Sequence, residues 1–276
     1  MKAVSTLNAV LTKVFDLFFS PFANLDPIWA MVAISLVTGV LMLWIFGLVS
    51  NQAALRETKE KIRGNLLAIR LYRHDVRVVL QTQGRLLLLV LRYMKYSLIP
   101  MLILIIPVLF IIIQLHLRFE HRPLAVGEST LIKVKVRDAD LMGESVSLHV
   151  PEGIQVETPA VRIPSKSEVA WRLRPSQAGL QKVTVEIDGD RVEKEISIGS
   201  GWGKVSPLRT GHSIWDLLLY SGEPPIKASA PIREIEVIYP SLPLKVFGWN
   251  IHWLVLFFVL SIVFGFAFKK PFGIEI

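Results

Sequence analysis

The sequence predicts an α-helical membrane protein with three transmembrane helices and an extracytoplasmic antiparallel β-sandwich of Ig-like architecture. Hydrophobic residues make up 52% of the 276 residues, and the mean hydropathy is +0.48. Three stretches carry no charged residue: Pro27–Leu55, Ser97–Leu117 and Val246–Phe268. Each is long enough to cross a bilayer core, which takes about 20 apolar residues. Between the second and third stretches the apolar residues recur with period two, the pattern of half-buried strands.

Residues 1–26 are predicted to form an amphipathic helix that lies in the extracytoplasmic interface of the membrane. Apolar residues from Leu7 to Phe19 recur there at helical spacing, with polar residues between them. Pro21 ends this pattern, and Asp26-Pro27 supplies a cap residue followed by proline. The first transmembrane helix is therefore predicted at residues 27–49.

The distribution of charge predicts the topology. Ser50–Arg85 holds eight basic and three acidic residues, whereas Leu117–Lys245 holds 17 of each. Basic residues in short loops mark the cytoplasmic side. We therefore expect a multi-pass protein of the plasma (inner) membrane, with the N-terminus and residues 118–245 extracytoplasmic. The tail at 269–276, with Lys269 and Lys270, is then cytoplasmic.

Residues 50–85 are predicted to form a basic cytoplasmic helical hairpin. Apolar residues from Leu55 to Leu80 follow steps of three, four and seven, which is typical of a coiled coil. Gly64-Asn65 is a candidate break between two short helices, and one continuous connector helix is the alternative. We expect no nucleic-acid partner, because basic residues beside membrane spans serve topology and anionic-lipid contact.

The second and third transmembrane helices are predicted at residues 86–117 and 246–268. Arg92 and Lys95 lie within two turns of the cytoplasmic end of the second, where long side chains reach the head groups. Trp249 and Trp253 stand at the entrance of the third as aromatic anchors.

The extracytoplasmic segment 118–245 contains five alternating stretches, which place the β-sandwich at 124–198. They are Thr130–Val136, Ser145–Val150, Glu168–Arg174, Lys182–Ile187 and Val192–Ile198. Asp188-Gly189 predicts a hairpin between the last two. Trp171 is expected to point inward with Val169 and Leu173. Further on, His212–Tyr220 is predicted as a short helix and Arg233–Ile238 as a strand.

No motif supports catalysis, so we expect no enzyme and no cofactor. With no Cys in the chain, Cys-ligated metal sites are excluded. His116, His121 and Glu120 are a possible metal set, but beside a membrane exit an interfacial position is the favoured interpretation. A second acidic group only partly resembles a calcium loop, and a solvated turn is the favoured interpretation there. Its members are Asp138, Asp140 and Glu144. No metal site is therefore expected.

Polar residues at membrane depth are the candidate functional residues, because they are costly there unless they serve a role. The candidate groove or client-contacting residues are Arg92, Lys95, Gln114, Ser35, Thr38 and Ser261. Asn250 and His252 are also candidates, with an interfacial position as the alternative.

Four segments resemble the short three-span members of the YidC/Oxa superfamily of membrane insertases. They are Asp26–Trp29, Asn51–Gln83, Met94–Ile103 and the region of the third span, which matches at Gly248–Ser261 and at Phe268–Gly273. The resemblance implies a groove among three spans and membrane-protein clients. Two features differ from the family pattern. Pro27–Val49 lacks the arginine that bacterial members carry in the first core span, and an Ig-like β-domain is inserted between the second and third spans.

Two functions follow from this pattern as expectations. The first is an insertase- or chaperone-like protein that exposes a polar intramembrane groove to client membrane segments. The alternative is a structural or receptor-like envelope protein whose β-domain binds a protein partner. The lipid bilayer is a partner in both. The first function requires polar side chains of at least two spans to face a common cavity.

Overall fold

The structure is a computed structural model that describes residues 2–72, 74–137, 146–211, 220, 222–227 and 229–274. The chain divides into two compact units. The first unit comprises Met1–Ala30 and Ile112–Trp253, and the second comprises Met31–Ile111 and Leu254–Ile276. The acidic group at 138–144 lies outside the described residues, and so does the predicted helix at 212–220 except for Tyr220.

The described residues form five α-helices. They are α1 (Lys2–Phe19), α2 (Pro27–Val49), α3 (Gln52–Leu71), α4 (Val76–Phe119) and α5 (Trp253–Phe268). By length and composition, α2 and α4 are able to cross a membrane, whereas α5 is apolar but has only 16 residues. The protein thus combines helices with antiparallel sheets, and two of the described helices are candidate membrane spans.

The cytoplasmic hairpin predicted from the sequence is built differently from the expectation. Helix α3 continues through Gly64 and Asn65 and ends at Leu71. Asp75 then caps α4 by accepting a hydrogen bond from the Val78 N–H at 3.1 Å. A single glycine within a helix is tolerated, so Gly64 does not break α3. The turn lies instead between the end of α3 at Leu71 and the cap at Asp75.

Helix α4 continues for 44 residues, through Pro100 and Pro107, from a start ten residues before the predicted span at 86. Its length of about 66 Å at 1.5 Å per residue exceeds the roughly 30 Å of a hydrocarbon core. A large part of α4 must therefore lie outside the core of any membrane that it crosses.

The described residues of the first unit form two larger antiparallel sheets. Their strands are β1 (Thr130–Val136), β2 (Val146–His149), β3 (Ile154–Val156), β4 (Val161–Ile163), β5 (Glu168–Pro175), β6 (Gly179–Ile187), β7 (Asp190–Ile198), β8 (Leu208–Thr210) and β9 (Ile232–Val237). One sheet has the order β3-β5-β1-β9-β8, with β4 also paired to β5, and the other has the order β2-β6-β7. Because β9 lies between β1 and β8, the first sheet includes residues well beyond 198.

Apolar side chains from both sheets form one core. In β1 every second residue is buried, and Ile132 pairs with Trp171 of β5. Val169, Trp171 and Leu173 are all buried in this core together with Val185 of β6. The prediction that Trp171 points inward is confirmed.

A buried ion pair joins β7 to the segment that follows it. The side chains of Lys194 and Glu223 are 0% and 1% exposed and are bonded to each other. The Lys194 ammonium also donates to the Ser206 carbonyl at 2.6 Å, and Glu223 accepts from the Glu195 N–H at 3.0 Å. Burial lowers the pKa of Lys194, and the Glu223 carboxylate opposes that shift.

The helix found in the region of the predicted third span begins later than the sequence predicts. Residues 244–251 form a hairpin of β10 (Leu244–Val246) and β11 (Trp249–Ile251), and α5 starts at Trp253. Positive φ angles at Phe247 (51°) and Gly248 (85°) close the turn. Because a helix tolerates neither angle, residues 246–248 cannot belong to it.

Candidate functional site: a groove lined by three helices

The second unit contains an open cavity of about 310 Å³ among α2, α4 and α5. Its walls are mainly apolar, and Met101 of α4 and Phe257 of α5 contribute to them. Each of the three helices also contributes one hydroxyl residue to the lining. These residues are Thr38, Ser97 and Ser261. One hydroxyl residue from each of three helices therefore borders the same cavity.

Helices α2 and α5 approach closely at Gly39. A Cβ atom at Gly39 would lie 2.6 Å from the Ser261 carbonyl oxygen and 3.1 Å from the Gly265 nitrogen. Ser35 and Gly39 in α2, and Ser261 and Gly265 in α5, are each four residues apart. Small residues at this spacing allow helix backbones to come together in a membrane.

Three hydroxyl groups of the second unit are buried without a hydrogen-bond partner among the described residues. They belong to Ser35, Thr38 and Ser261. Leaving such a group unpaired costs about 1–3 kcal/mol. Thr38 and Ser261 belong to the lining of the cavity, so a rotation about χ1 that turned either hydroxyl toward a polar group in the cavity would remove part of this cost.

Arg92 and Lys95 are placed differently from the other candidates. Both are exposed on α4, and neither lines the cavity. Arg92 lies near α3, where its charge adds to that of Lys61 in lowering the pKa of Glu57. The groove thus differs from the polar, positively charged groove expected from the sequence, since its polar groups are hydroxyls on apolar walls.

Gln114, another sequence candidate, lies in the first unit and holds α1 against the end of α4. Its amide donates to the Thr12 hydroxyl at 3.2 Å and its carbonyl oxygens accept from Arg118. Arg118 is also bonded to Asp16, and its guanidinium carbon lies 5.6 Å from the centre of the Phe19 ring. The contacts of Gln114 are those of a structural residue.

Glu120 lies at the centre of the histidine group noted in the sequence. It accepts a hydrogen bond from the Trp253 indole at 2.5 Å. His116 Nδ1 and His252 Nε2 lie 3.6 and 3.7 Å from the same carboxylate oxygen, and the His121 ring is 6.4 Å from the His116 ring. Within the described part of the chain, no group of three or more His, Asp or Glu side chains is arranged to hold a metal ion.

Sequence reasoning identified Thr38, Ser261 and Ser35 but missed Ser97, Gly39 and Gly265. The signal for the two glycines was available in the four-residue spacing of small residues in α2 and α5. Ser97 stood out from neighbouring apolar residues but carried no pattern of its own.

The fold and the groove define a class of protein, one with candidate membrane-spanning helices, an apolar groove among helices and an antiparallel β-domain. No protein-family model matches the chain, and no curated protein or solved structure is significantly similar to it. The functional argument therefore rests on the geometry and on the chemistry of the residues.

Proposed function

We propose that the protein is an insertase- or chaperone-like membrane protein whose groove receives client membrane segments. The observation that carries the proposal is the common cavity of α2, α4 and α5, with the hydroxyl residues Thr38, Ser97 and Ser261 among its apolar lining. Such a cavity suits a segment that is mostly apolar but carries an occasional polar group. That group would find a hydroxyl partner in place of hydrocarbon.

The proposed topology has three membrane spans, formed by α2, part of α4 and α5, in the plasma (inner) membrane. The excess of basic residues in Ser50–Arg85 supports a cytoplasmic α3 and a cytoplasmic start of α4. The N-terminus and the β-domain are then extracytoplasmic, and Lys269 and Lys270 are cytoplasmic. This arrangement agrees with what the resemblance to the YidC/Oxa superfamily implies.

The turn between α3 and α4 is the proposed cytoplasmic receiving surface. Apolar side chains are exposed on both sides of the turn, among them Leu67, Leu71 and Val76. Exposed basic residues, including Arg70 and Arg77, lie between them. A surface of this kind fits an amphipathic or apolar client segment before it enters the groove.

We further propose that the two larger sheets form an Ig-like β-sandwich. Their shared core supports this, since Val134 and Trp171 of one sheet and Val185 of the other belong to the same cluster.

A β-domain with a surface groove of about 480 Å³, lined in part by Glu128 and Arg172, favours the alternative function of binding an envelope partner.

Site-specific photo-crosslinking tests the proposed function. A photo-reactive residue at Met101 lines the groove, whereas one at Ile103 lies two residues further along α4 and outside the lining. The two positions differ by about 200° around the helix, at nearly the same depth. We expect newly made membrane proteins to crosslink to position 101 and not to position 103.

Equal capture at both positions, or capture at neither, would contradict the proposal. A partner captured only by a probe at Arg172 in the β-domain would favour the envelope-partner alternative. Because Arg172 is exposed, this third probe is accessible in the folded protein.

A further inference from the structure

The β10–β11 hairpin ends in two exposed aromatic residues. Phe247 is fully exposed at the turn, and Trp249 is 78% exposed on β11. With φ of 51° at Phe247 and 85° at Gly248, both central residues of the turn have the left-handed backbone of a type I′ hairpin.

Phenylalanine is an unusual residue for this turn. The β6–β7 hairpin has the same backbone, with φ of 50° at Asp188 and 88° at Gly189, and carries the favoured Asp-Gly pair. The non-glycine residues with positive φ among those described are Ser167, Asp188 and Phe247. Phe247 is the bulky one of these, and a bulky residue is disfavoured in this region. An outlier of this kind suggests a role for the side chain.

The position of the hairpin in the chain indicates which surroundings the exposed tip contacts. One residue, His252, separates β11 from α5. Helix α5 has 16 residues and spans about 24 Å, which is about 6 Å less than a typical hydrocarbon core. Lys269 and Lys270 follow its other end directly and favour the head-group region. If α5 spans the membrane, the remaining roughly 6 Å of hydrocarbon core must be filled by residues at the end of α5 that is next to the hairpin.

We propose that the β10–β11 hairpin inserts its tip, Phe247 and Trp249, into the extracytoplasmic interface of the phospholipid bilayer. Aromatic side chains are enriched at that depth. The exposed Lys245 on β10 is placed to meet lipid phosphates. The hairpin would complete the apolar length of α5 and fix the depth at which this helix enters the membrane. The inference rests on the proposed membrane span of α5.

Depth-dependent fluorescence quenching tests the inference in the full-length protein. The chain has no Cys, so single-cysteine variants take one environment-sensitive label each. Phe247→Cys places the label at the hairpin tip, Asp188→Cys at the matched turn of the other hairpin, and Val259→Cys in the middle of α5. The protein is reconstituted into phosphatidylcholine–phosphatidylglycerol vesicles that carry a nitroxide at a shallow or a deep acyl position.

We expect the shallow nitroxide to quench the label at position 247 at least about threefold more than the label at position 188, since the first lies among lipids. The deep nitroxide should quench position 259 most strongly. Quenching at 259 with positions 247 and 188 alike would overturn the hairpin inference and leave the span intact. Absence of quenching at 259 would overturn the span, and the hairpin inference with it.

A second measurement keeps the native aromatic residue in place. Lys245→Cys carries the label on β10, and its quenching is compared with Phe247 present and with Phe247→Ser. We expect the serine variant to reduce quenching by about half or more, because the apolar contact that holds the tip in the interface is lost. Unchanged quenching would show that Phe247 does not insert and would overturn the proposal.

Discussion

The buried pair of Lys194 and Glu223 gives the sharpest prediction for stability. Lys194→Met keeps the length of the side chain but leaves the Glu223 carboxylate, 1% exposed, without its counter-ion. Removing one partner of a buried ion pair costs about 3–5 kcal/mol. The lost hydrogen bond to the Ser206 carbonyl adds about 1 kcal/mol. We therefore expect a total loss of about 4–6 kcal/mol.

The double variant Lys194→Met with Glu223→Leu removes both charges. What remains is the cost of the Ser206 carbonyl and the Glu195 N–H, which lose their partners and together account for about 2–4 kcal/mol. The double variant should therefore be more stable than Lys194→Met alone, although it carries one more substitution. Lys182→Met is the matched control on β6, since its surface pair with Glu193 at 3.4 Å should contribute less than about 1 kcal/mol.

Hydrogen exchange of the β6 and β7 amides in the full-length protein measures these free energies of opening. The reasoning is refuted if Lys194→Met costs no more than Lys182→Met. It is also refuted if the stability lost in the double variant equals the sum of the losses in Lys194→Met and in Glu223→Leu. The effects of two residues that interact with each other do not add.

Two further predictions concern the core and the topology. Trp171→Ala should lower the free energy of unfolding of the β-domain by about 3–5 kcal/mol, since the ring is 5% exposed; an unchanged melting temperature would contradict this. In intact cells, an impermeant maleimide should label Ser176→Cys in the β-domain but not Gln81→Cys near the start of α4, and the reverse pattern would contradict the proposed topology.

Local signals in the sequence explain the elements that could be predicted. Helix α2 starts at Pro27 because Asp26 caps it, accepting the Ile28 N–H at 2.9 Å, and both residues are readable as a start signal. Strand β1 occupies Thr130–Val136, where apolar and charged residues alternate from Ile132 to Val136. In both cases the determining residues are adjacent in the chain.

Features that depend on distant partners could not be predicted. Lys194 takes an inward position in β7, between Val192 and Ile196, and is buried only because Glu223 reaches it from 29 residues away. Residues 246–251 of the β10–β11 hairpin lie in the uncharged stretch from which a transmembrane helix is predicted, since Phe247-Gly248 is not a recognised turn pair.

The sequence shows which polar residues are candidates for the site, but it does not show which face of each helix is turned toward the groove. Thr38 and Ser261 stood out as polar residues in apolar helices, and both line the groove. Arg92 and Lys95 stood out more strongly. At 100° per residue, however, they lie about 140° and 160° around α4 from Ser97, which faces the cavity. Only the packing of α4 against its neighbours determines which face lines the groove.

Crosslinking from Met101 in the presence and absence of the groove hydroxyls is the most direct test of the proposed function. Thr38→Val with Ser261→Ala removes the two unpaired hydroxyls that belong to the groove lining and leaves Ser97 and the apolar walls in place. We predict that the wild-type groove captures a client segment with a central Asn several-fold more than the double variant does, since each lost hydrogen bond contributes about 0.5–1.5 kcal/mol. A matched all-Leu segment should be captured equally by both proteins. Equal capture of the Asn segment by the two proteins, or no capture by either, would contradict the account.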